Sequence, residues 1–316
     1  MIEINNLTHK YGQLTALTNV SLSVPEGTLF GLLGPNGGGK STLFRILSTA
    51  LLPTQGEITV TGKDVFREPH AVRSQMAVIF QSASIDGKLT VYENLRHYGY
   101  CYGLSGRRLR DRIDQLLSQL GLSARRSDRV ETLSGGLQRK VEIAKGLLSR
   151  PRLVLMDEPS TGLDPTARQD LWDLVKRLND EQGITFMVTT HLMEEAENCD
   201  MVGILDQGRL VATGAPDRLK NQIGGEVVEV KSGSPEKLAE SFTQRYGIQS
   251  EVVHGSVLFE SEDGHTMIPE IIESFPGQIQ AVTVRKPTLQ DVFVHYTGHG
   301  FENGALPVPD EIGPDE

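Results

Sequence analysis

Gly34-Pro35-Asn36-Gly37-Gly38-Gly39-Lys40-Ser41 has the spacing G-x-x-x-x-G-K-[ST] of a loop built to hold phosphate. Glycines let consecutive backbone N–H groups curl around phosphate oxygens with no Cβ in the way. A helix predicted over 40–48, beginning Lys40-Ser41-Thr42, then aims its positive N-terminal end at the same anion. Lys40 offers a mobile charge to the β- and γ-phosphates, and the Ser41 hydroxyl suits Mg²⁺. The chemistry implied is nucleotide binding, and this loop alone does not separate kinases from motors.

Further reactive groups follow downstream. Asp157-Glu158 closes the apolar run Leu153-Val154-Leu155-Met156, and His191 follows Thr189-Thr190. Ser134-Gly135-Gly136 opens a helical stretch and so forms another anion site. Each has a plainer reading on its own. An acidic pair after a strand usually caps a helix, an isolated histidine is usually surface or core, and a single tyrosine such as Tyr11 usually packs in the core.

The elements that must position these groups alternate between strand and helix from Met1 to about Lys220, the pattern of an α/β domain with a largely parallel sheet. Thr28–Leu33, Met76–Phe80, Leu153–Met156 and Thr185–Thr189 are short, apolar runs buried on both faces. Residues about 82–150 turn polar and helical, with Ile113, Leu116, Leu117 and Leu120 at helical spacing, and read as an insertion. Gly224-Gly225 marks a boundary. Beyond it the order strand, helix, strand, strand, helix, strand over 225–298, with a hairpin about His254-Gly255, predicts a small ferredoxin-like α+β domain. Residues 299–316, rich in Pro, Gly and acid, are expected to be disordered.

The chain has 316 residues, with 31 Lys plus Arg against 41 Asp plus Glu. That balance gives no basic face, so no nucleic-acid partner is expected. Cys101 and Cys199 lie far apart with no metal-binding spacing, and both are expected to be buried. The start MIEINNLTHKYG does not resemble a secretory signal. No window approaches the ~18 apolar residues of a membrane-spanning helix, so any action on a membrane would need a partner.

The motifs together resemble those of ATP-binding-cassette (ABC) proteins, over about residues 1–220. Leu133-Ser134-Gly135-Gly136 is similar to the ABC signature, Leu153–Pro159 to the Walker B strand with its catalytic glutamate, and Ser160-Thr161-Gly162-Leu163-Asp164 to the D-loop. Phe80-Gln81 resembles the Q-loop and Thr189-Thr190-His191 the switch segment. The resemblance implies an ATPase that uses ATP and Mg²⁺. Asp157, Ser41 and Gln81 would serve the metal, Glu158 would be the general base, and His191 and Lys40 would contact the γ-phosphate. Tyr11 would stack on adenine, the 34–42 loop would hold the phosphates, and Ser134, Gly135 and Gly136 would meet ATP bound by a second cassette. Two complete sites then need a homodimer or another paired cassette. Leu137 stands where the family most often has Gln, and Gly38 where it often has Ala or Ser.

Lys286–Gly298 reads as a helix capped by Thr288, with Asp291 completing a capping box and Leu289, Val292, Phe293 and Tyr296 as its apolar stripe. Its plain reading is a helix packed on the second domain. It also resembles the end of ATPase subunits of ABC-2-type exporters, the group with daunorubicin-resistance and sodium-extrusion systems. That implies a separate transmembrane permease, docking near 82–94, and a cytoplasmic position on the inner face of the cell membrane. A soluble ABC ATPase acting on ribosomes or DNA, and a non-catalytic nucleotide-binding regulator, are the alternatives.

Overall fold

The computed structural model describes residues 1–301 except 224, 249 and 254. Its central sheet has six strands. Leu29–Leu33 lies inside it, flanked by Thr185–Thr190, Leu153–Asp157 and Met76–Ile79 on one side and by Met201–Asp206 and Arg209–Gly214 on the other. Neighbours run parallel except the final pair, Met201–Asp206 with Arg209–Gly214.

Side-chain alternation along these strands separates two cores. Leu29, Leu33, Val154, Met156, Phe186 and Val188 enter one, whereas Phe30, Leu32, Leu153, Leu155 and Met187 enter the other. Both faces are dry, which is why the strands read as unbroken apolar runs. The first core is shared with helices Val91–Cys101, Gly106–Gln119, Gly135–Leu147 and Pro165–Gln182. The second is closed by helix Lys40–Leu47 and an antiparallel sheet of Ile2–Tyr11, Leu14–Val24, Gln55–Val60 and Lys63–Asp64. Ile113, Leu116, Leu117 and Leu120 are all buried. Cys199 is buried too, its Sγ 2.9 Å from where a Cβ on Gly31 would stand. Cys101 departs from expectation: it ends its helix exposed.

After the cassette, Glu226–Ser232, Glu251–Val253, Ser256–Ser261 and Ile279–Arg285 form an antiparallel sheet. Numbered within this sheet, the spatial order is 2-3-1-4, with helices Pro235–Tyr246 and Gly264–Ser274 following the first and third strands. This is the ferredoxin-like order. Phe242 centres its core, with Phe259 and Phe275 at 5.4 and 5.3 Å between ring centroids. Gly225 is described and its partner in the expected boundary is not; the same holds for Gly255 and residue 254 of the hairpin.

The last helix, Leu289–Thr297, corrects two expectations. It packs on Pro216–Lys220, Met193–Glu197 and Arg209–Gly214, so Leu289, Val292 and Phe293 join the first core of the cassette. The unit expected over 225–298 therefore ends in a helix that belongs to the other core. Tyr296 is not in the buried stripe: it is 42% exposed and its hydroxyl donates to Gln222 Oε1 at 2.8 Å. Of the tail expected to be disordered, 299–301 instead pack, with Phe301 on Phe293 at 4.9 Å and His299 Nε2 3.1 Å from Asp206 Oδ2. Residues 302–316 lie outside the described residues.

Candidate nucleotide site

The phosphate-binding segment joins strand Leu29–Leu33 to helix Lys40–Leu47. Gly39 caps that helix at φ 104°, a backbone region that only glycine adopts without strain. A Cβ on Gly34 would stand 2.2 Å from the Leu205 carbonyl oxygen, so the loop lies hard against the neighbouring strand end. Gly38 is less confined, with Pro35 O and Leu205 O at 3.0 and 3.1 Å from its would-be Cβ. Lys40 is buried and donates to Gly34 O and Pro35 O at 2.7 and 3.0 Å. Burial pulls its pKa down, and the charges of Glu158 and Asp157 oppose that.

Parallel pairing brings the acids to the same edge. Asp157 registers with Thr189, and the Thr189 hydroxyl donates to Asp157 Oδ1 at 2.6 Å. Thr189 also accepts the Glu158 N–H, through Oγ1 at 3.0 Å and its carbonyl at 3.2 Å. Those bonds hold Glu158 at φ 40°, left-handed backbone that costs a non-glycine residue about 1–3 kcal/mol and often marks a functional position. Glu158 Oε1 lies 3.6 Å from Lys40 Nζ and Oε2 lies 3.2 Å from His191 Nδ1. Burial raises the Asp157 pKa, and the bond from Thr189 works against it. A carboxylate with one oxygen held and the other without a hydrogen bond among the described residues is a fitting oxygen donor for Mg²⁺.

Not every expected residue joins this cluster. The Gln81 side chain is exposed, and Tyr11 packs edge-to-face with His9, ring centroids 4.5 Å apart. No hydrogen bond or ion pair among the described residues connects Ser134, Gly135 or Gly136 with the phosphate loop. Ser134 caps helix Gly135–Leu147, and Ser134 and Gly135 are exposed. The start of this helix is thus open to solvent.

A profile described as ABC transporter matches residues 17–161, and one described as ATP-binding protein DrrA1-3-like, C-terminal domain, matches residues 214–297. The daunorubicin resistance ATP-binding protein DrrA3 of Streptomyces coeruleorubidus is 35% identical over 94% of this chain and 96% of its own. This chain belongs to the ATP-binding subunits of ABC transporters.

As an ABC subunit it is an ATPase. The Nod factor export ATP-binding protein I of Rhizobium sp. (strain N33) is a further relative, 37% identical over 95% of this chain and 98% of that one. A dimeric ATP-binding cassette solved in a post-hydrolysis state with ADP and Pi superposes with TM-score 0.61 at 29% identity, covering 68% of this chain and 98% of that one. The cbiO1 subunit from Clostridium perfringens shares the fold, with TM-score 0.66 at 24% identity over 78% and 95% of the two chains. Among the described residues no helix is long and apolar enough to cross a membrane.

Two buried networks around the ABC motifs escaped the sequence. Glu195, 2% exposed, accepts from the D-loop Ser160 hydroxyl and from Thr190 Oγ1 at 2.5 Å. It ties the D-loop to the switch segment. On the signature helix, Arg139 donates to the Phe80 and Gln81 carbonyls at 2.8 and 2.9 Å and to Glu142 at 2.9 Å. Glu142 accepts from the Ser84 N–H at 2.5 Å, and Lys145 donates to the Ser84 hydroxyl. The only sequence hint was charge at helix positions that should be apolar.

Proposed function

We propose that this chain hydrolyses Mg·ATP at the interface of two cassettes and so drives an ABC-2-type exporter through a separate permease at the inner face of the cell membrane. The supporting observation is the placement of Glu158, with one oxygen towards Lys40 and the other towards His191. From there Glu158 takes a proton from water attacking the γ-phosphorus, while Lys40 and the backbone N–H groups of 34–42 neutralise the departing charge. His191 orients the carboxylate and meets the γ-phosphate. Asp157, Ser41 and Gln81 are the residues that would hold Mg²⁺, which would supply positive charge to offset that of the phosphates. Tyr11 offers its ring to adenine.

The outward-facing Ser134 supports completion of each site by a second copy. The network of Arg139, Glu142 and Lys145 fixes the backbone of 80–84, so movement of the signature helix moves the start of the permease-docking stretch 82–94. Export, rather than work on ribosomes or DNA, agrees with relatives named for daunorubicin resistance and Nod factor export.

The test is ATP turnover by wild type and Glu158→Gln, with and without Mg²⁺. Mg²⁺-dependent turnover that the substitution abolishes is expected. Turnover that survives in Glu158→Gln would remove the assigned base.

A further inference from the structure

We propose a second anion site, remote from the nucleotide, in the arginine-lined cleft between helix Gly106–Gln119 and the turn at 149–151, whose ligand is a phosphate-bearing anion. Two adjoining clefts of about 450 and 520 Å³ share Arg112, Gln115 and Arg150. Arg152 lines the first and Arg108 the second.

Two carboxylates line the clefts as well, Glu26 in the first and Asp111 in the second, and both are paired. Arg152 holds Glu26 at 2.6 Å, and Asp111 faces Arg107 at 3.6 Å. Among the described residues neither Arg108 nor Arg150 has an acidic partner. Arg112 directs its terminal nitrogens to neutral acceptors, Gln115 Oε1 at 3.0 Å and Leu147 O at 2.5 Å, and its buried Nε has none.

Several features oppose this arrangement unless an anion joins it. Helix Gly106–Gln119 carries Arg107 and Arg108 in a first turn with no acidic residue, where its own positive end repels them. Arg108 and Arg112 form a like-charged i,i+4 pair. Arg150 sits at φ 55°, left-handed backbone that glycine would occupy without strain. Burial, then repulsion from Arg150, disfavours the charged form of Arg112. A guanidinium keeps its proton regardless, so only a counter-charge relieves the cluster. Guanidinium forks match phosphate oxygens in pairs.

The cleft lies at the far end of the signature helix from Ser134. That helix, Gly135–Leu147, has 13 residues and so spans about 20 Å. Occupancy of the two sites can therefore be measured separately.

Full-length protein, its phosphate loop filled with a non-hydrolysable ATP analogue, is titrated with inorganic phosphate by calorimetry. It is also sedimented with vesicles of phosphatidylcholine, with and without phosphatidylglycerol. Binding to one of these probes is expected, weakened about tenfold or more by Arg108→Gln with Arg150→Gln while affinity for the ATP analogue stays unchanged. Both side chains are exposed, so the double variant keeps its fold. Phosphate binding alone identifies a free anion, and sedimentation only with phosphatidylglycerol identifies a lipid headgroup. Binding of neither probe, or binding that the double variant retains in full, overturns the proposal.

Discussion

Glu158 Oε2 and His191 Nδ1 lie 3.2 Å apart although 33 residues separate them in sequence. The contact exists because their strands are parallel neighbours, with Asp157 in register with Thr189. Lys40 approaches the other carboxylate oxygen at 3.6 Å, which places this carboxylate between two basic side chains.

Glu158→Gln keeps this shape and removes the proton acceptor. ATP binding should survive while turnover falls about 10²–10⁴-fold, the usual worth of a general base. ATP should then accumulate in a dimer, read by light scattering. A variant that stays monomeric under saturating ATP would sink the shared-site reading.

Thr189→Val removes the donor to Asp157 Oδ1 and one acceptor of the Glu158 N–H at nearly constant volume. The expected stability loss is about 1–2 kcal/mol. Steady-state kinetics should show kcat falling more than KM rises, as the proposed roles of both acids at the reacting phosphate require. An unchanged kcat would show that the Thr189 hydroxyl does not position them.

Glu195→Ala removes the acceptor of the Ser160 and Thr190 O–H groups inside the protein. Stability should drop by about 2–4 kcal/mol, read by urea unfolding. Glu195→Gln, which still accepts one bond, should lose less. Equal losses would mean that the carboxylate's charge, with Arg168 Nε 3.8 Å away, holds the network rather than packing or a neutral acceptor.

Asp291 ties the last helix to the C-terminal sheet through Arg285, at 2.5 and 2.7 Å. Burial pushes its pKa up, but bonds from Arg285 and Thr288 outweigh it and hold the carboxyl below its usual value. A depressed folded pKa adds stability that is present above the unfolded value of about 3.9 and lost as pH falls through the folded one. Asp291→Asn should therefore cost about 1–3 kcal/mol at pH 7, with the gap to wild type closing below about pH 4. A gap that persists undiminished in acid would remove the ion pair from the account.

Much of the site was legible because its constraints are local. The spacing Gly34 to Ser41 encodes a loop and a helix start within eight residues, and Asp157-Glu158 follows an apolar run that can only be a buried strand. Helix capping by Thr288 and Asp291 is similarly short-range, and the Thr288 N–H and hydroxyl both donate to Asp291 Oδ2 at 2.7 Å. Tyr296 misled the helical stripe because periodicity says which residues share a face, not how wide the covering surface is.

By itself the sequence determined the order of elements and the α/β class with its phosphate-loop motif, since each depends on neighbours a few residues apart. Tertiary structure alone decided that Leu289–Thr297 joins the cassette core, that Glu195 bridges Ser160 and Thr190, and that Arg139 grips the backbone of Phe80 and Gln81. Arg139 and Phe80 are 59 residues apart, and the last helix packs on segments still further away in sequence. A buried charge is stable only where partners converge on it in space, and convergence is set by strand order and helix packing, which no local pattern records.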